Sequence, residues 1–225
     1  MIRYLRSPMH RHSILALVTL AVSAAGAPAA GAATIQTDTR CYQEQQEVVV
    51  RGSGFTPLAT INVARNGKVF ASATADGNGG FVGKFATPVT PDHVRERLYE
   101  LSATDTINTA LTRYRSTKVF ANFKPGSGNP ATLRVRFTIH GFGLVRRRAP
   151  VYVHHVNPQG HARRTILLGT AVGVCGMIER TRERRLFPFS PQRGTWILQF
   201  DTRKQYERAT SKRRTPWVRK PVEIS

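Results

Sequence analysis

VVVRGSGFTP, residues 48–57, places three β-branched valines just before a Gly-Ser-Gly break and then continues with an aromatic residue and a proline. Two structures fit such a break: a glycine loop that holds a phosphate, or a strand that bends at the rim of a β-sandwich. A phosphate loop needs a helix after the glycines, whose N-terminus meets the anion. Here proline opens a strand-like segment, and no lysine follows the second glycine. The glycines are therefore predicted to shape the backbone.

The segments that follow have the pattern of short strands. In TINVA, residues 60–64, Ile61 and Val63 face one side and polar or small residues face the other, which is the period of a half-buried strand. Asn66-Gly67 separates two such runs and predicts a type I′ hairpin, because that turn needs a positive φ at both positions. Six or so short strands in about 85 residues indicate a β-sandwich of immunoglobulin type.

The order of these turns resembles the repeat of bacterial secreted Ig-like domains. In that family a GxGFxPG turn and a TADxxGxF hairpin bracket the central strands, and GSGFTPL (52–58) and TADGNGGF (74–81) follow the two patterns. The resemblance covers about residues 36–119. It implies a β-sandwich with Phe55 and Phe81 in the core, commonly with an adhesive or spacer role outside the cell. Leu58 stands where glycine is usual, which alters the turn without threatening the fold.

Two broader resemblances add to this interpretation. The neocarzinostatin-type apoproteins share this style of sandwich, but they usually carry disulfides within the domain, which residues 36–119 do not provide. The two-part layout of the whole chain resembles actinobacterial secreted proteins of unassigned activity, and that likeness implies no activity for this chain.

The second half of the chain is also rich in predicted strands. In TLRVRFTIHGFG, residues 132–143, Val135, Phe137 and Ile139 alternate with basic and polar side chains, which indicates a strand with a basic outer face. We predict a second small antiparallel sandwich or barrel, with one fused sandwich as the alternative. The other predicted strands are PVYVHHV (150–156), RTILLG (164–169), AVGVCGMI (171–178), RLFPF (185–189), TWILQFDT (195–202) and WVRKPVEI (217–224).

Charge divides the chain into two parts. Residues 34–119 carry 10 Lys and Arg against 8 Asp and Glu, whereas residues 120–225 carry 21 against 5. This shift predicts two domains, 34–119 and 120–225, with a linker or long turn in FANFKPGSGNPATL, residues 120–133. Arginine greatly outnumbers lysine, so the bias of a GC-rich genome is an alternative source of part of the charge.

Residues 1–33 have the composition of a cleaved secretory signal peptide. Three arginines and no acid precede an apolar core, and a run of small residues ends in Ala30-Gly31-Ala32, which fits the A-x-A cleavage pattern. Cleavage is expected near Ala32 or Ala33, with an uncleaved N-terminal anchor as the alternative. The mature chain is predicted to contain no transmembrane segment and to be secreted, extracellular or associated with the cell wall.

Arginine clusters in the second half are candidates for contact with polyanions. Guanidinium groups have the geometry to pair with phosphate and carboxylate groups. Exposed arginines would therefore attract anionic envelope polymers or lipid headgroups. The alternative is that these arginines only maintain solubility and protect sheet edges. Sequence-specific nucleic-acid binding is not expected, because no helix-turn-helix, zinc or RNA-recognition motif accompanies the charge. The residues predicted to make the contact are Arg146, Arg147, Arg148, Arg182, Arg184 and Arg185.

The two cysteines, Cys41 and Cys175, fall in different halves of the chain. Disulfides persist outside the cytosol, so the pair is predicted to form a bridge that clamps the halves together. The alternative is two unpaired thiols, with Cys175 buried in its apolar run.

No pattern in the sequence indicates a metal, a cofactor or a catalytic site. His154 and His155 are adjacent, so on a strand they point to opposite faces and cannot both bind one metal ion. Each is therefore predicted to be an ordinary surface or turn histidine. The acids of the second half each lie near a basic residue, which indicates ordinary ion pairs. Neither a nucleophile elbow nor a zinc-protease motif is present in the 225 residues.

These observations predict an all-β, non-enzymatic secreted protein of two small antiparallel Ig-like β-sandwiches. The second sandwich would hold the molecule to an anionic polymer or surface, and the first would act as a spacer or contact a protein partner. The alternatives are a small-molecule carrier with a deep apolar pocket, a protein-interaction module of Ig-like type, and an enzyme with an unrecognised cleft.

Overall fold

The computed structural model describes residues 32–210 and 215–225. The predicted signal peptide falls almost wholly on residues 1–31, which lie outside the described residues, as does the basic run Lys212–Arg214. Within the described ranges every regular element is a β-strand, so the chain has the predicted all-β class.

In the part of the chain that the structure describes, eight strands build the first sandwich: β1 (Thr34–Thr37), β2 (Cys41–Gln43), β3 (Glu47–Ser53), β4 (Thr60–Arg65), β5 (Lys68–Thr74), β6 (Phe81–Ala86), β7 (Glu96–Thr104) and β8 (Thr109–Thr117). They form a three-stranded sheet, β1-β3-β6, and a five-stranded sheet, β2-β8-β7-β4-β5. Val50 of one sheet and Ile61 and Leu101 of the other belong to one buried cluster, so the sheets pack face to face. Pairing is antiparallel throughout except between β2 and β8, which run parallel.

The Gly-Ser-Gly break has the role in backbone shape that the sequence predicts. Gly52 pairs with Phe81, and a Cβ on Gly52 would lie 2.1 Å from Cε1 of that ring, so only glycine leaves room for it. Gly54 has φ +78°, which favours glycine. Phe55 then turns inward, and its ring centroid lies 5.5 Å from that of Phe81. The bend thus places both phenylalanines in the core.

The predicted Asn66-Gly67 hairpin is confirmed. β4 and β5 pair directly across it, and φ is 49° at Asn66 and 79° at Gly67, as a type I′ turn requires. Leu58, at the position where the Ig-like pattern has glycine, takes a left-handed conformation with φ 60°. Its side chain is exposed, so leucine adds no buried contact at this turn.

The chain passes from the first sandwich to the second in two residues. β8 ends at Thr117 and the next strand begins at Phe120, which leaves Lys118 and Val119 as the connection. The glycine- and proline-rich segment 120–133 is predicted as a linker or long turn. In the structure it begins with a strand, Phe120–Lys124, and continues as a turn within the second sandwich. Across the junction, the Arg95 guanidinium lies 3.9 Å from the centroid of the Phe120 ring.

Among the described residues, seven strands build the second sandwich: β9 (Phe120–Lys124), β10 (Arg134–His140), β11 (Pro150–Val156), β12 (Ala162–Thr170), β13 (Arg184–Arg185), β14 (Gly194–Asp201) and β15 (Trp217–Ile224). One sheet has the order β13-β10-β9 and the other β12-β11-β14-β15. Phe137 of the first sheet and Val153 and Phe200 of the second share one buried cluster. The alternation predicted for β10 holds, because Val135, Phe137 and Ile139 are all buried.

Two predicted strands of this half differ from the structure. AVGVCGMI forms a tight turn with only isolated bridges, because Gly173 and Gly176 have φ of 81° and 75° and reverse the chain. RLFPF contributes only Arg185 to a strand, since Pro188 has no N–H to donate to a ladder. By contrast, Pro221 is tolerated inside β15 because that strand lies at the sheet edge.

Candidate polyanion-binding surface

Arg146, Arg147 and Arg148 lie in the loop between β10 and β11, and all three side chains are exposed. The base of this loop is held to the 171–177 turn, because Phe142 N–H donates to the Gly176 carbonyl at 3.0 Å and Gly143 N–H to the Cys175 carbonyl at 2.9 Å. Among the described residues, no carboxylate lies within 4.0 Å of these guanidiniums. Three uncompensated charges therefore project from an anchored loop.

Arg182, Arg184 and Arg185 lie around the short strand β13. Arg184 donates to the Leu167 carbonyl at 3.1 Å, and burial lowers the pKa of this arginine. Glu183, between them in sequence, accepts hydrogen bonds from Arg134 at 2.8 Å and from Arg136 at 3.5 Å, which lower the pKa of Glu183. Arg182 and Arg185 remain exposed, whereas Arg184 is engaged with the neighbouring strand β12.

The two arginine clusters are attached at opposite ends of β10. Arg185 pairs with Arg134 at the start of β10, whereas the 146–148 loop follows His140 at the end of the same strand. Six residue steps along a strand separate the two ends by about 20 Å. The second cluster lies next to β12, on which Arg163 and Arg164 are also exposed.

Two clefts border the 143–147 loop at the junction of the sandwiches. They have volumes of about 600 Å³ and 380 Å³ and share Leu144 and Val145 as wall residues. The larger cleft is also lined by Gln43, Glu44, Gln45, Gln46, Val119, Thr215, Pro216 and Trp217. The smaller is also lined by Thr39, Arg40, Cys41, Gly143, Arg146, Arg147 and Val174.

Cys41 and Cys175 form a disulfide in the structure, with their Cα atoms 5.3 Å apart, and both residues are buried. The bridge joins β2 of the first sandwich to the 171–177 turn of the second. A Cβ on Gly176 would lie 2.1 Å from the Gly143 nitrogen, so that turn and the arginine loop meet backbone to backbone. The wall between the two clefts is therefore fixed to both sandwiches.

Sequence reasoning did not select the residues of the first sandwich that line these clefts. Arg40 and the run Gln43–Gln46 belong to no motif, and they meet the second sandwich only through the folded arrangement. Trp217 lies on the edge strand β15 and lines the larger cleft, while its neighbour Val218 packs against the core.

His154 and His155 point to opposite faces of β11, as predicted, but the expectation of a surface or turn histidine is wrong for both. His154 is buried, with Nδ1 2.8 Å from Thr165 Oγ1 and Nε2 3.2 Å from Asp201 Oδ1. His155 is buried between strands, with Nε2 2.8 Å from the Leu186 carbonyl oxygen, and burial lowers the pKa of His155. In residues 32–210 and 215–225, no group of three His, Cys, Asp or Glu side chains is placed to hold a metal ion.

Asp201 is engaged in the same network as His154, and sequence reasoning had assigned it to an ordinary ion pair. Gln199 Nε2 donates to Asp201 Oδ2 at 2.9 Å, and Arg203 N–H donates to Asp201 Oδ1 at 2.8 Å. The Tyr206 ring covers His154, with the ring centroids 5.5 Å apart. This network ties the loop after β14 to the sheet and leaves His154 and Asp201 out of contact with solvent.

Within the described part of the chain, no helix is long and apolar enough to cross a membrane.

No protein-family model matches the chain, and no curated protein matches it. Similar solved structures include the fibronectin(III)-like modules of Clostridium thermocellum CbhA, at 9% identity over 74% of this chain and 84% of that one, with a TM-score of 0.29. A two-domain fibronectin type-III segment of chicken tenascin is 9% identical over 84% of this chain and 97% of that one, with a TM-score of 0.28. A β-glucuronidase of Parabacteroides merdae is 6% identical over 84% of this chain and 25% of that one, with a TM-score of 0.28. Identities and TM-scores this low support no inference about ligand or activity.

Proposed function

We propose that this chain is an exported, non-enzymatic protein that binds anionic envelope polymers through the arginines of its second sandwich. The observation that carries the proposal is the 146–148 loop, which presents three exposed arginines without a described carboxylate beside them. Guanidinium groups pair with phosphate or carboxylate in a bidentate way, and such contacts release counterions from a polyanion. The first sandwich supplies one wall of the adjoining clefts and so limits how a polymer approaches.

The excess of basic over acidic residues in the second half supports this proposal. Folding neutralises only part of it, since Glu183 pairs with Arg134 and Arg136, and Glu207 pairs with Arg203. Exposed charges of one sign raise the local concentration of a polyanion and speed its association. The carrier alternative fits less well, because half of the residues that line the 600 Å³ cleft are polar rather than apolar.

Binding to purified bacterial cell walls is expected to weaken steeply with salt and to depend on the arginine clusters. Changing Arg146, Arg147 and Arg148 to glutamine removes up to three contacts. The plot of log affinity against log salt should therefore become shallower, with the magnitude of its slope reduced by about two to three. A second variant, Arg182→Gln with Arg185→Gln, tests the other patch and leaves the Arg184–Leu167 hydrogen bond intact. Sedimentation of the protein with walls across a salt series measures both effects.

The matched control removes the same number of positive charges from the first sandwich. Arg51, Lys68 and Arg97 are exposed there, and their change to glutamine should leave wall binding within about twofold of wild type. An equal loss in the control and in the 146–148 variant would contradict a specific surface and leave only a net-charge effect. The same variants are tested for binding to vesicles with anionic headgroups. Retention of the protein on vesicles but not on walls would show that its partner is a membrane surface and not a wall polymer.

Export is expected to leave a new N-terminus at Ala33 or Thr34. The A-x-A pattern at residues 30–32 places cleavage after Ala32, and cleavage one residue later would leave Thr34 as the first residue. Expression of the full chain in a bacterium with an active secretion pathway, followed by N-terminal sequencing of protein from the medium, measures this directly. A variant with Ala30 and Ala32 changed to leucine should accumulate unprocessed. Recovery of the wild type only in the cytoplasm with residue 1 intact would contradict export.

A further inference from the structure

We propose that the two clefts beside the 143–147 loop form one groove that takes an acidic polysaccharide, a chain of sugar rings that carry anionic groups. The groove is named here the junction groove and comprises the residues that line the 600 Å³ and 380 Å³ clefts. This inference rests on the proposed function and narrows its ligand from any polyanion to one that contains sugar rings. One sugar ring of the polymer would lie against Trp217, and acidic groups elsewhere on the polymer would contact Arg40, Arg146 and Arg147.

Continuity between the clefts comes from the loop that separates them. Leu144 and Val145 line both, and Val145 is 59% exposed although it is apolar. A polymer that passes over this loop would cover Val145 and contact both clefts. One cleft then supplies an aromatic and amide-rich wall and the other a basic wall, and this division matches a ligand with both neutral rings and charged groups.

Trp217 is placed to stack on a sugar ring. It is the first residue of the edge strand β15, and it lies outside the core cluster to which Val218 contributes. Its side chain is half-buried, so part of the indole is held by the protein and part remains open to the cleft. Tryptophan combines a large apolar face with an N–H donor, which suits a ring that has an apolar face and polar edges.

The wall next to Trp217 is rich in groups that both donate and accept hydrogen bonds. Gln43 and Gln45 are exposed at the β2–β3 turn, and neither side-chain amide has a hydrogen bond among the described residues. Side-chain amides can satisfy sugar hydroxyls in either direction, whereas a bare phosphate chain offers only acceptors.

Among the described residues that line the larger cleft, Glu44 is the one carboxylate, and it is already engaged. Its Oε2 accepts a hydrogen bond from Thr90 N–H at 3.1 Å and lies 3.9 Å from Lys118 Nζ. These contacts partly offset its charge, so it does not exclude an anionic ligand. At the other end, Arg40 from the first sandwich and Arg146 and Arg147 from the second line one cleft.

The junction groove is organised before any ligand arrives. The disulfide fixes Cys41, at one wall, to the turn that carries Val174. Gly143 and Gly176 meet backbone to backbone and hold the loop that separates the clefts. A rigid site loses little conformational entropy on binding, which favours affinity for a flexible polymer.

The test compares four ligands by calorimetry at one salt concentration. Hexagalacturonate carries rings with carboxylates, phosphorylated dextran carries rings with phosphates, polyphosphate carries charge without rings, and maltohexaose carries rings without charge. Trp217→Ala should weaken the two acidic sugars at least tenfold and change polyphosphate less than twofold. Arg146→Gln with Arg147→Gln should weaken all three anions. The tighter of the two acidic sugars identifies carboxylate or phosphate as the preferred charged group.

Fluorescence provides an independent readout of the same site. The other tryptophan, Trp196, is 2% exposed, so a ligand-induced change in emission reports mainly on Trp217 and should vanish in Trp217→Phe. Leu167→Ala, an exposed apolar residue on the opposite edge strand β12, is the matched control and should change no affinity. Retained polyphosphate binding shows that Trp217→Ala is folded.

The outcomes separate this inference from the proposed function. If Trp217→Ala weakens no anion, or weakens all of them equally, the groove does not recognise sugar rings, while arginine-dependent polyanion binding stands. If the wild type binds none of the anions more tightly than maltohexaose, both proposals are wrong.

Discussion

Replacing Cys41 and Cys175 together with alanine is expected to lower the free energy of unfolding by about 5 kcal/mol. The two residues are 134 positions apart, so their bridge removes a large amount of conformational entropy from the unfolded chain. It also joins the two sandwiches at the wall of the junction groove, so the variant should bind the acidic sugars more weakly than wild type. Urea unfolding followed by circular dichroism measures the first effect, and calorimetry measures the second.

Alkylation under denaturing conditions provides the chemical control for that experiment. Unreduced wild-type protein should gain no alkyl group by intact mass, and reduced protein should gain two. Two groups before reduction would show that the thiols are free and would remove the basis of the stability prediction. A loss of less than about 1 kcal/mol in the double variant would mean that the unfolded chain is already compact without the bridge.

Asp201→Ala is expected to lower the free energy of unfolding by about 3–5 kcal/mol, because it leaves buried donors without an acceptor. Asp201 accepts from Gln199 and from Arg203 N–H and faces His154, and both members of the His154–Asp201 pair are buried. Glu223→Ala is the matched control, since Glu223 is an exposed carboxylate on the adjacent strand of the same sheet. It should change stability by no more than about 0.5 kcal/mol.

The effect of Asp201 is also expected to depend on pH. Burial raises the pKa of Asp201, but hydrogen bonds from His154, Arg203 N–H and Gln199 lower it by more, so the folded pKa lies below the usual value. A group of this kind stabilises the fold above its unfolded pKa of about 3.9 and loses that contribution as pH falls through its folded pKa. The difference between wild type and Asp201→Ala should be full at pH 7 and should shrink below about pH 4. A difference that stays constant from pH 7 to pH 2 would contradict the assignment.

Local sequence signals account for much of the fold. The Asn66-Gly67 hairpin depends on the backbone freedom of those two residues, and the alternation in β10 shows directly which side chains are buried. Phe55 and Phe81 lie in the core as the Ig-like pattern implies. In each case the information is held within about ten consecutive residues, because turn chemistry and strand period are local properties.

Features that depend on pairing between distant strands were not accessible in the same way. His154 and Asp201 meet because β11 and β14 pair in a particular register, and nothing near either residue indicates the other. The same holds for the junction groove, where Arg40 and Trp217 come from different sandwiches. AVGVCGMI was predicted as a strand because it is apolar, but two glycines with positive φ and the bridge at Cys175 make it a turn.

The disulfide between β2 and the 171–177 turn also determines the result of a single proteolytic cleavage. Its two ends enclose most of the first sandwich, the Lys118–Val119 connection and the exposed turn that follows β9. A protease that cleaves a single peptide bond anywhere in this span leaves the two fragments covalently joined through sulfur. The nicked molecule therefore gains only the mass of one water and separates into two pieces only after reduction.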